Sequence, residues 1–252
     1  MRIAALYDIH GNRFALDAVL AELNKVRPDV ILIGGDIVAG PFPADVLERL
    51  TTLDTDVRFI RGNTEREVVS PGPSVPPTWA ERVPWVRAQL SEEQLDFLGA
   101  LPEQLVLDVD TLGPTLFVHG SPRSDEEIIT ALTPEAWLRE VFAGVEQRTV
   151  IGGHTHMQID RQIGDIRFAN AGSVGMPYEE SLGAFWALIG PGIEHRRTAY
   201  DIEAAAAAIR ASAFPGADDF VSRFLLDHPS PADTAAFFES LAEKARSRPN
   251  PV

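Results

Sequence analysis

Two histidines, His154 and His156, stand directly after a short apolar run and two glycines in the stretch Val150–His156. In an extended backbone, residues i and i+2 point to the same side, so both imidazoles would face one spot beyond a strand end. Neutral imidazoles grouped at a strand end suit a metal ion better than they suit a hydrophobic core. This stretch therefore predicts metal-ion chemistry.

Four other apolar runs also end in side chains that can bind a metal. In open α/β sheets, ligands collect beyond the carboxyl ends of the strands. We therefore expect these ends to converge with His154 and His156 on one two-metal centre. The runs are Ile3–Tyr7, followed by Asp8 and His10; Val30–Ile33, followed by Asp36; Val57–Ile60, followed by Asn63; and Leu116–Val118, followed by His119.

The elements that must position these side chains begin with alternating strands and helices. The spacing predicts strands at Met1–Tyr7, Val30–Ile33 and Val57–Ile60, joined by helices at Arg13–Val26 and Ala44–Thr52. Near-continuous apolar strands alternating with helices are typical of a buried parallel sheet. Later short strands, separated by glycine turns, predict a second, mainly antiparallel sheet facing the first. These strands are Gln158–Ile163, Ile166–Asn170, Ala184–Ile189 and Ile193–Thr198.

Two other segments differ from this pattern. Ser70–Pro84 contains five prolines and one glycine, which predict a surface excursion rather than a long regular element. From Asp201 onward the sequence predicts three helices and carries no cluster of candidate ligands. We therefore divide the chain into residues 1–200 and a helical C-terminal extension, residues 201–252. This extension either packs on the core or forms a homo-oligomer.

Composition narrows the class of partner. The net charge of −15 argues against a general nucleic-acid surface, since such surfaces depend on Lys and Arg. It does not exclude a small phosphoester substrate. The chain has no cysteine, so any metal must be held by oxygen and nitrogen ligands. No apolar run approaches the roughly 20 residues that span a bilayer. Because Asp8 interrupts the first apolar run, we expect no signal peptide and a cytoplasmic protein.

The order of the ligand blocks carries a family resemblance. Asp8-Ile9-His10-Gly11-Asn12, Gly35-Asp36, Gly62-Asn63, His119-Gly120 and Gly153-His154-Thr155-His156 together resemble the calcineurin-like metallophosphoesterases. The resemblance covers about Met1 to Thr198, and the ordered set is far more specific than any single block. It implies an α/β fold, namely a four-layer α/β/β/α sandwich with helices outside two sheets.

The resemblance also implies a ligand set and a reaction. One divalent metal would be held by Asp8, His10 and His156, the other by Asn63, His119 and His154, and Asp36 would bridge the two. The implied activity is hydrolysis of a phosphoester by in-line attack of a hydroxide that bridges the metals, so no side chain is assigned as the nucleophile. Manganese is the first expectation for the metal, with iron, nickel, zinc and cobalt as alternatives.

Other residues near these blocks are candidates for substrate contact. Asn12 and Arg13 stand at the amino end of the first predicted helix, where backbone N–H groups favour an anion. Arg13 could hold a phosphate oxygen, although a solvated helix arginine is the competing interpretation. Ser173 lies in a glycine-rich turn that is similar to one near the family's site, and we interpret it as structural. His195 and His228 are also assigned structural roles.

One position departs from the family pattern. Many relatives have a histidine directly after the asparagine of the third block, where it donates a proton to the leaving group. Here that position is Thr64, followed by Glu65. A hydroxyl is a poor acid near pH 7, so we expect a preference for diesters or for good leaving groups. This variation resembles a branch of small prokaryotic phosphodiesterases. The alternatives are a phosphoprotein or nucleoside-polyphosphate phosphatase and a non-catalytic scaffold that keeps the fold.

Overall fold

The computed structural model describes residues 1–72, 79–227 and 230–246. The strands are β1 (Ile3–Leu6), β2 (Val30–Ile33), β3 (Asp56–Phe59), β4 (Gln104–Val109), β5 (Gly113–Val118), β6 (Thr149–Gly152), β7 (Gln158–Ile163), β8 (Ile166–Ala171), β9 (Ala184–Ile189) and β10 (Ile193–Thr198). The helices are α1 (Arg13–Val26), α2 (Pro43–Thr51), α3 (Asn63–Val69), α4 (Arg82–Ala88), α5 (Glu92–Gly99), α6 (Glu135–Val141), α7 (Ile202–Ala211), α8 (Ala217–Val221), which continues into a π-helical turn (Ser222–Leu226), and α9 (Pro231–Arg246).

The strands form two five-stranded mixed sheets. The first has the order β10-β9-β1-β2-β3, and the second has the order β4-β5-β6-β8-β7. The predicted parallel arrangement of β1, β2 and β3 is confirmed by their register. In the second sheet β5, β6 and β8 are parallel, while β4 and β7 pair antiparallel at its two edges.

The prediction of a second, mainly antiparallel sheet was wrong in two respects. Ala184–Ile189 and Ile193–Thr198 belong to the first sheet, where β9 pairs antiparallel with β1 and β10 pairs with β9. The second sheet also contains three mutually parallel strands. The periodicity of apolar residues predicts where a strand lies, but it does not predict which strand it pairs with. Since β9 is buried along its whole length, it sits inside the first sheet with a neighbour on each side.

Alternation along β1 shows how the layers form. Ile3, Ala5 and Tyr7 point into the core between the two sheets, whereas Ala4 and Leu6 face the opposite side and pack with helix α1. The far side of the second sheet is covered by α6 through Leu138 and Val141. Helices therefore lie outside both sheets, and the predicted four-layer sandwich is confirmed.

The ends of several helices follow from local sequence. Helix α1 has the predicted bounds, because the Asn12 side chain accepts a hydrogen bond from the backbone of Ala15 and caps its first turn. Ser91 and Gln94 form a capping box at the start of α5. Helix α3 was not predicted. Part of the proline-rich stretch Ser70–Pro84 lies outside the described residues, and α4 begins within it at Arg82.

The C-terminal helices pack on the main body of the fold. Ala205, Ile209, Phe220 and Leu225 belong to the same buried cluster as the inward face of α1. The boundary near residue 200 stays a prediction, and so does self-association. In the ranges given above, the structure has no helix of sufficient length and apolar character to cross a bilayer.

Candidate metal centre

The structure brings the predicted ligands together at one edge of the two sheets. Six of the seven residues supply nitrogen or oxygen atoms that fall into two groups, each with its atoms within 4.8 Å of one another. Asp36 belongs to both groups, as a bridging carboxylate would. The first group is Asp8, His10, Asp36 and His156, and the second is Asp36, His119 and His154.

The Asp36 carboxylate faces one histidine of each group with a different oxygen. Its Oδ1 atom lies 3.4 Å from Nε2 of His119, and its Oδ2 atom lies 3.6 Å from Nε2 of His10. Asp8 is similarly central, with Oδ1 3.4 Å from Nε2 of His156 and 3.9 Å from Nε2 of His119. The two groups are therefore adjacent halves of one cluster.

Asn63, the remaining predicted ligand, is the first residue of α3. Its Nδ2 atom lies 3.4 Å from Oε1 of Glu67, which fixes the orientation of the side-chain amide. The contact with Glu67 uses only the amide nitrogen of Asn63, so the amide oxygen, Oδ1, stays available for a ligand. The next residue, Thr64, donates its backbone N–H to Oδ1 of Asp36 at 3.0 Å, which joins this helix end to the cluster.

The backbone of the ligand loops differs from the prediction. His154 and His156 were expected on an extended backbone, but β6 ends at Gly152 and both histidines have left-handed φ angles of 69° and 60°. Among the described residues, seven non-glycine residues have positive φ. Five of them are predicted ligands: Asp8, His10, Asp36, His154 and His156. Such conformations are costly and concentrate at functional sites.

Three imidazoles are held in one tautomer by the backbone. The Nδ1 atoms of His10, His119 and His156 lie 3.2, 2.8 and 2.8 Å from the carbonyl oxygens of Ala39, Gly34 and Met176. Each Nδ1 therefore carries a proton and donates it, and each Nε2 is directed into the cluster. A backbone carbonyl behind the imidazole is the usual outer partner of a metal-binding histidine.

Buried atoms at the cluster have the character of open ligand positions. Asp8 Oδ1, Asn63 Oδ1 and His119 Nε2 are buried and accept or donate no hydrogen bond within the described structure. A buried polar atom without a partner is costly, so a ligand for these three atoms is expected. The Nε2 atoms of His10 and His156 are 3.1 Å apart, a contact that is favourable only with a proton or a cation between them. The residues present therefore fit a metal centre.

The pKa values describe a cluster whose charge is balanced by protons. Burial lowers the pKa of His119, but the carboxylates of Asp36 and Asp8 outweigh burial and raise it to about 10. Burial likewise lowers the pKa of His156, and the Asp8 carboxylate outweighs it and raises the value. Burial lowers the pKa of His10 and that of His154 to about 4, so these two imidazoles are neutral at pH 7. A cation bound at Nε2 of His119 would replace the proton that this imidazole carries at pH 7.

Sequence reasoning missed the role of Glu65. This fully buried carboxylate accepts hydrogen bonds from the backbone of Asp36 at 2.8 Å, Ile37 at 2.7 Å and Gly62 at 3.0 Å. It therefore ties the loop after β2 to the start of α3 and holds Asp36 in place. Burial and the nearby Asp36 carboxylate raise its pKa to about 6. Because Glu65 stands three residues after the N-cap Gly62 and accepts its backbone N–H, it supplies the glutamate half of a capping box, which is a weak sequence signal for the start of α3.

Thr64, the position that departs from the family pattern, is turned toward Asp36. Its hydroxyl donates a hydrogen bond to Asp36 Oδ1 at 2.9 Å. The side chain therefore stabilises the shared carboxylate. This contact agrees with the expectation that Thr64 does not act as a proton donor to a leaving group.

The candidate substrate residues make contacts within the protein. The Asn12 side chain caps α1, and its Nδ2 donates to Gly175 at 3.1 Å. The Arg13 guanidinium pairs with Asp45 at 2.6 Å and lies over the Phe42 ring. A role for either residue in substrate binding stays a prediction.

The structure also places the residues that were interpreted as structural. The Ser173 hydroxyl donates to the backbone oxygen of Asp8 at 2.7 Å, which agrees with a structural turn. His195 contacts the backbone oxygen of Asn170 at 2.9 Å, outside the cluster. His228 lies outside the described residues.

Comparison with known proteins identifies the family. The model of the calcineurin-like phosphoesterase superfamily domain matches residues 1–188. The chain belongs to this family. No curated protein matches the chain.

Solved structures have the same fold. A metallophosphoesterase from Sphaerobacter thermophilus is 26% identical with a TM-score of 0.72, and the match covers 88% of this chain and 98% of that one. A hypothetical protein from Pyrococcus horikoshii is 21% identical with a TM-score of 0.78, and the match covers 90% of this chain and 99% of that one. Both matches extend beyond the residues that the family model covers.

Proposed function

We propose that this chain is a dinuclear metal-dependent phosphodiesterase that cleaves its substrate by in-line displacement at phosphorus. The observation that carries the proposal is the pair of groups joined by Asp36, together with three buried atoms of the predicted ligands that form no hydrogen bond within the described structure. Membership of a metallophosphoesterase family supports the hydrolase class. The number of metals and the diester preference go beyond that support and are our inference.

The ligand residues would divide between two ions as the sequence suggested. Asp8, His10 and His156 would hold one ion, and Asn63, His119 and His154 would hold the other, with Asp36 between them. Two divalent ions in these positions would act as Lewis acids toward a phosphoryl group and would make water a usable nucleophile near neutral pH. Carbonyl groups behind three of the imidazoles would keep their Nε2 atoms aimed at the ions.

The preference for diesters rests on Thr64. Because the Thr64 hydroxyl donates its hydrogen bond to Asp36, this side chain does not supply a proton to a departing alkoxide. A leaving group that needs no proton therefore departs most readily, as an activated aryl oxygen does. Thr64 favours this assignment over a general phosphomonoesterase.

The metal is proposed to be manganese, with iron, nickel, zinc or cobalt as alternatives. Imidazole nitrogen and carboxylate oxygen accept all of these ions, and the two groups contain no sulfur ligand. The substrate is proposed to be a small phosphoester, because a net charge of −15 disfavours a long polyanion.

The proposal is tested with metal-stripped protein and two chromogenic substrates, bis(4-nitrophenyl) phosphate and 4-nitrophenyl phosphate. Mn²⁺, Fe²⁺, Ni²⁺, Zn²⁺ and Co²⁺ are added back singly, and bound metal per chain is measured by elemental analysis. Two ions per chain and restored hydrolysis of the diester above the monoester are expected. His154→Ala should lose the second ion and at least about 100-fold in turnover.

Other results would point to the alternatives. Faster hydrolysis of the monoester would favour a phosphatase acting on phosphoproteins or nucleoside polyphosphates. Two bound ions without turnover on either ester would favour a scaffold that keeps the fold. A single bound ion, unchanged in His154→Ala, would contradict the dinuclear assignment.

A further inference from the structure

The loop Gly153–His156 carries two predicted ligands and is contacted on two sides by segments that rest on α9. The family model ends at residue 188, so α9 lies beyond the part of the chain that defines the family. The two sets of contacts give this C-terminal helix a connection to the metal centre.

On the first side, the link starts at Thr155, between the two histidines. Its side chain is 1% exposed, and its hydroxyl donates to the backbone oxygen of Ile129 at 3.1 Å. The same hydroxyl accepts a hydrogen bond from Asn170 Nδ2 at 3.0 Å, and that Nδ2 also donates to the backbone oxygen of Gly153. The segment around Ile129 therefore contacts one side of the loop through this hydrogen bond.

That segment is fixed by a buried carboxylate of α9. Glu239 is 7% exposed, and its Oε2 accepts hydrogen bonds from the hydroxyls of Thr130 at 2.9 Å and Thr133 at 2.7 Å. Its other oxygen accepts one from Arg246 at 2.5 Å. A buried carboxylate is tolerated only when its hydrogen bonds are satisfied, so these contacts hold the segment and α9 together.

On the second side, the link is made of stacked rings. Tyr178 stacks on the His156 imidazole with ring centroids 5.5 Å apart and an interplanar angle of 17°. Phe238 of α9 packs edge-on against Tyr178 at 5.8 Å. The Tyr178 backbone N–H also donates to the His156 carbonyl oxygen at 3.2 Å. Phe238 therefore contacts the predicted ligand His156 through a single intervening ring, that of Tyr178.

The loop needs such support because of its backbone. His154 and His156 both have left-handed φ angles, which β-carbon-bearing residues adopt only where the surroundings enforce them. We propose that α9 is the outer support of the metal loop, with Glu239 and Phe238 as positioning residues that set its affinity for metal. The inference rests on the metal centre of the proposed function. It assigns a role to the C-terminal extension.

The first test compares Glu239→Gln with Glu203→Gln, the same change at an exposed position on α7. A carboxamide has one acceptor oxygen and cannot satisfy both threonines and Arg246. Dissociation constants for Mn²⁺ and Zn²⁺ are measured by competition with a chromogenic chelator, without substrate. Glu239→Gln should bind metal about 3- to 10-fold more weakly, below the roughly 10- to 100-fold cost of losing a direct partner of a ligand. Glu203→Gln should bind as wild type.

The ring contacts offer a matched pair of adjacent positions. Phe238→Leu removes the edge-on contact with Tyr178, whereas Phe237→Leu changes a side chain that is 59% exposed. The affinity for metal should fall in the first variant and stay at the wild-type value in the second. This pair keeps the proposal testable if Glu239→Gln does not fold.

A double-mutant cycle tests whether Thr155 and Glu239, the two ends of the first set of contacts, are coupled. Thr155→Val and Glu239→Gln should be non-additive in their effect on metal affinity, since each interrupts the same connection. Wild-type affinity in both Glu239→Gln and Phe238→Leu would overturn the inference while leaving the metal centre intact. Additive effects in the cycle would also overturn it. A wild-type protein that binds no metal would overturn both this inference and the proposed function.

Discussion

The Thr64 hydroxyl donates a hydrogen bond to Oδ1 of Asp36, 2.9 Å away. The side chain that replaces the family's usual histidine thus supports the shared carboxylate. We expect Thr64→His to raise turnover of alkyl esters relative to activated aryl esters, because an imidazole could protonate the departing alkoxide. General acids contribute roughly 10²- to 10⁴-fold, and an introduced one should give about tenfold. The measurement is the ratio of kcat/KM for methyl 4-nitrophenyl phosphate and dimethyl phosphate.

The matched control is Thr64→Val, which keeps the volume and removes the hydroxyl. It should lower turnover of both ester classes by a similar factor, since Asp36 loses a hydrogen bond whatever the leaving group. An unchanged ratio in Thr64→His would show that a missing proton donor does not limit the enzyme.

Glu65 holds Asp36 through the backbone, so Glu65→Gln should weaken metal binding without removing a ligand. An amide presents an N–H₂ group where the carboxylate accepts hydrogen bonds from Asp36, Ile37 and Gly62. We expect a loss of roughly 10- to 100-fold in metal affinity. We also expect about 1–3 kcal/mol less stability from unpaired N–H groups. Chelator competition and thermal unfolding measure the two effects.

Glu48→Gln, an exposed change on α2, is the control for Glu65→Gln. It should alter neither the affinity for metal nor the unfolding temperature. Wild-type metal affinity in Glu65→Gln would show that the loop after β2 does not depend on this carboxylate.

Gly62 is required by the close approach of the loops and not by its backbone angles. Its φ of −94° is open to any residue, but a β-carbon there would come within 2.2 Å of Asp36 Oδ1. Gly62→Ala must therefore displace the shared carboxylate, and we expect metal affinity to fall by at least about 100-fold. Gly192→Ala is the matched control, since a β-carbon at that position meets nothing within 4 Å. Equal metal affinity in the two variants would contradict the role assigned to Asp36.

Metal binding should release protons. Because the carboxylates of Asp36 and Asp8 outweigh burial and raise the pKa of His119 to about 10, this imidazole is protonated below that pH. A cation that binds Nε2 must displace the proton, so the apparent affinity should rise with pH toward 10. Calorimetry at pH 7.5 in two buffers of different ionisation enthalpy should count at least about one proton released per chain. A count of zero would show that His119 is already neutral before the metal binds.

The grouping of the candidate ligands was predictable because their signals are local. Each is an Asp, Asn or His within a few residues of the end of an apolar strand, and strand ends meet at one edge whatever the exact pairing. The bounds of α1 were predictable for a similar reason, since Asn12 supplies its cap within the same turn. The resemblance to the metallophosphoesterases added the order of the blocks, and the family model confirms that family.

The features that the sequence did not reveal depend on contacts between distant segments. β9 joins β1 across most of the chain, and an apolar strand fits either sheet equally well. The left-handed backbone at His154 and His156 is enforced by packing from outside the loop. The position of Glu65 near the start of a helix can be read from the sequence. Its structural role cannot, because that role depends on hydrogen bonds from backbone N–H groups of the loop after β2, which is distant in the chain.

His195 supplies a prediction in the physiological pH range. Burial lowers its pKa below 6.5, the usual value, although a contact with the Asn170 carbonyl opposes this shift. The unfolded chain therefore binds the proton more tightly, so stability falls as the pH drops through 6.5 toward the folded-state pKa. His195→Gln keeps a hydrogen-bond donor and removes the titration. Between pH 7.5 and 5.5, its unfolding temperature should fall less than that of the wild type.

The expected difference is small and has a definite sign. A change of 1 kcal/mol moves the midpoint of a domain this size by roughly 2–4 °C, and His195 is only partly buried. We therefore expect the variant to gain about 1–2 °C on the wild type over this interval. Both proteins are compared in chelator, so that metal binding does not contribute. A larger decrease in the unfolding temperature of His195→Gln than in that of the wild type would mean that the folded state stabilises the protonated imidazole, contrary to the burial argument.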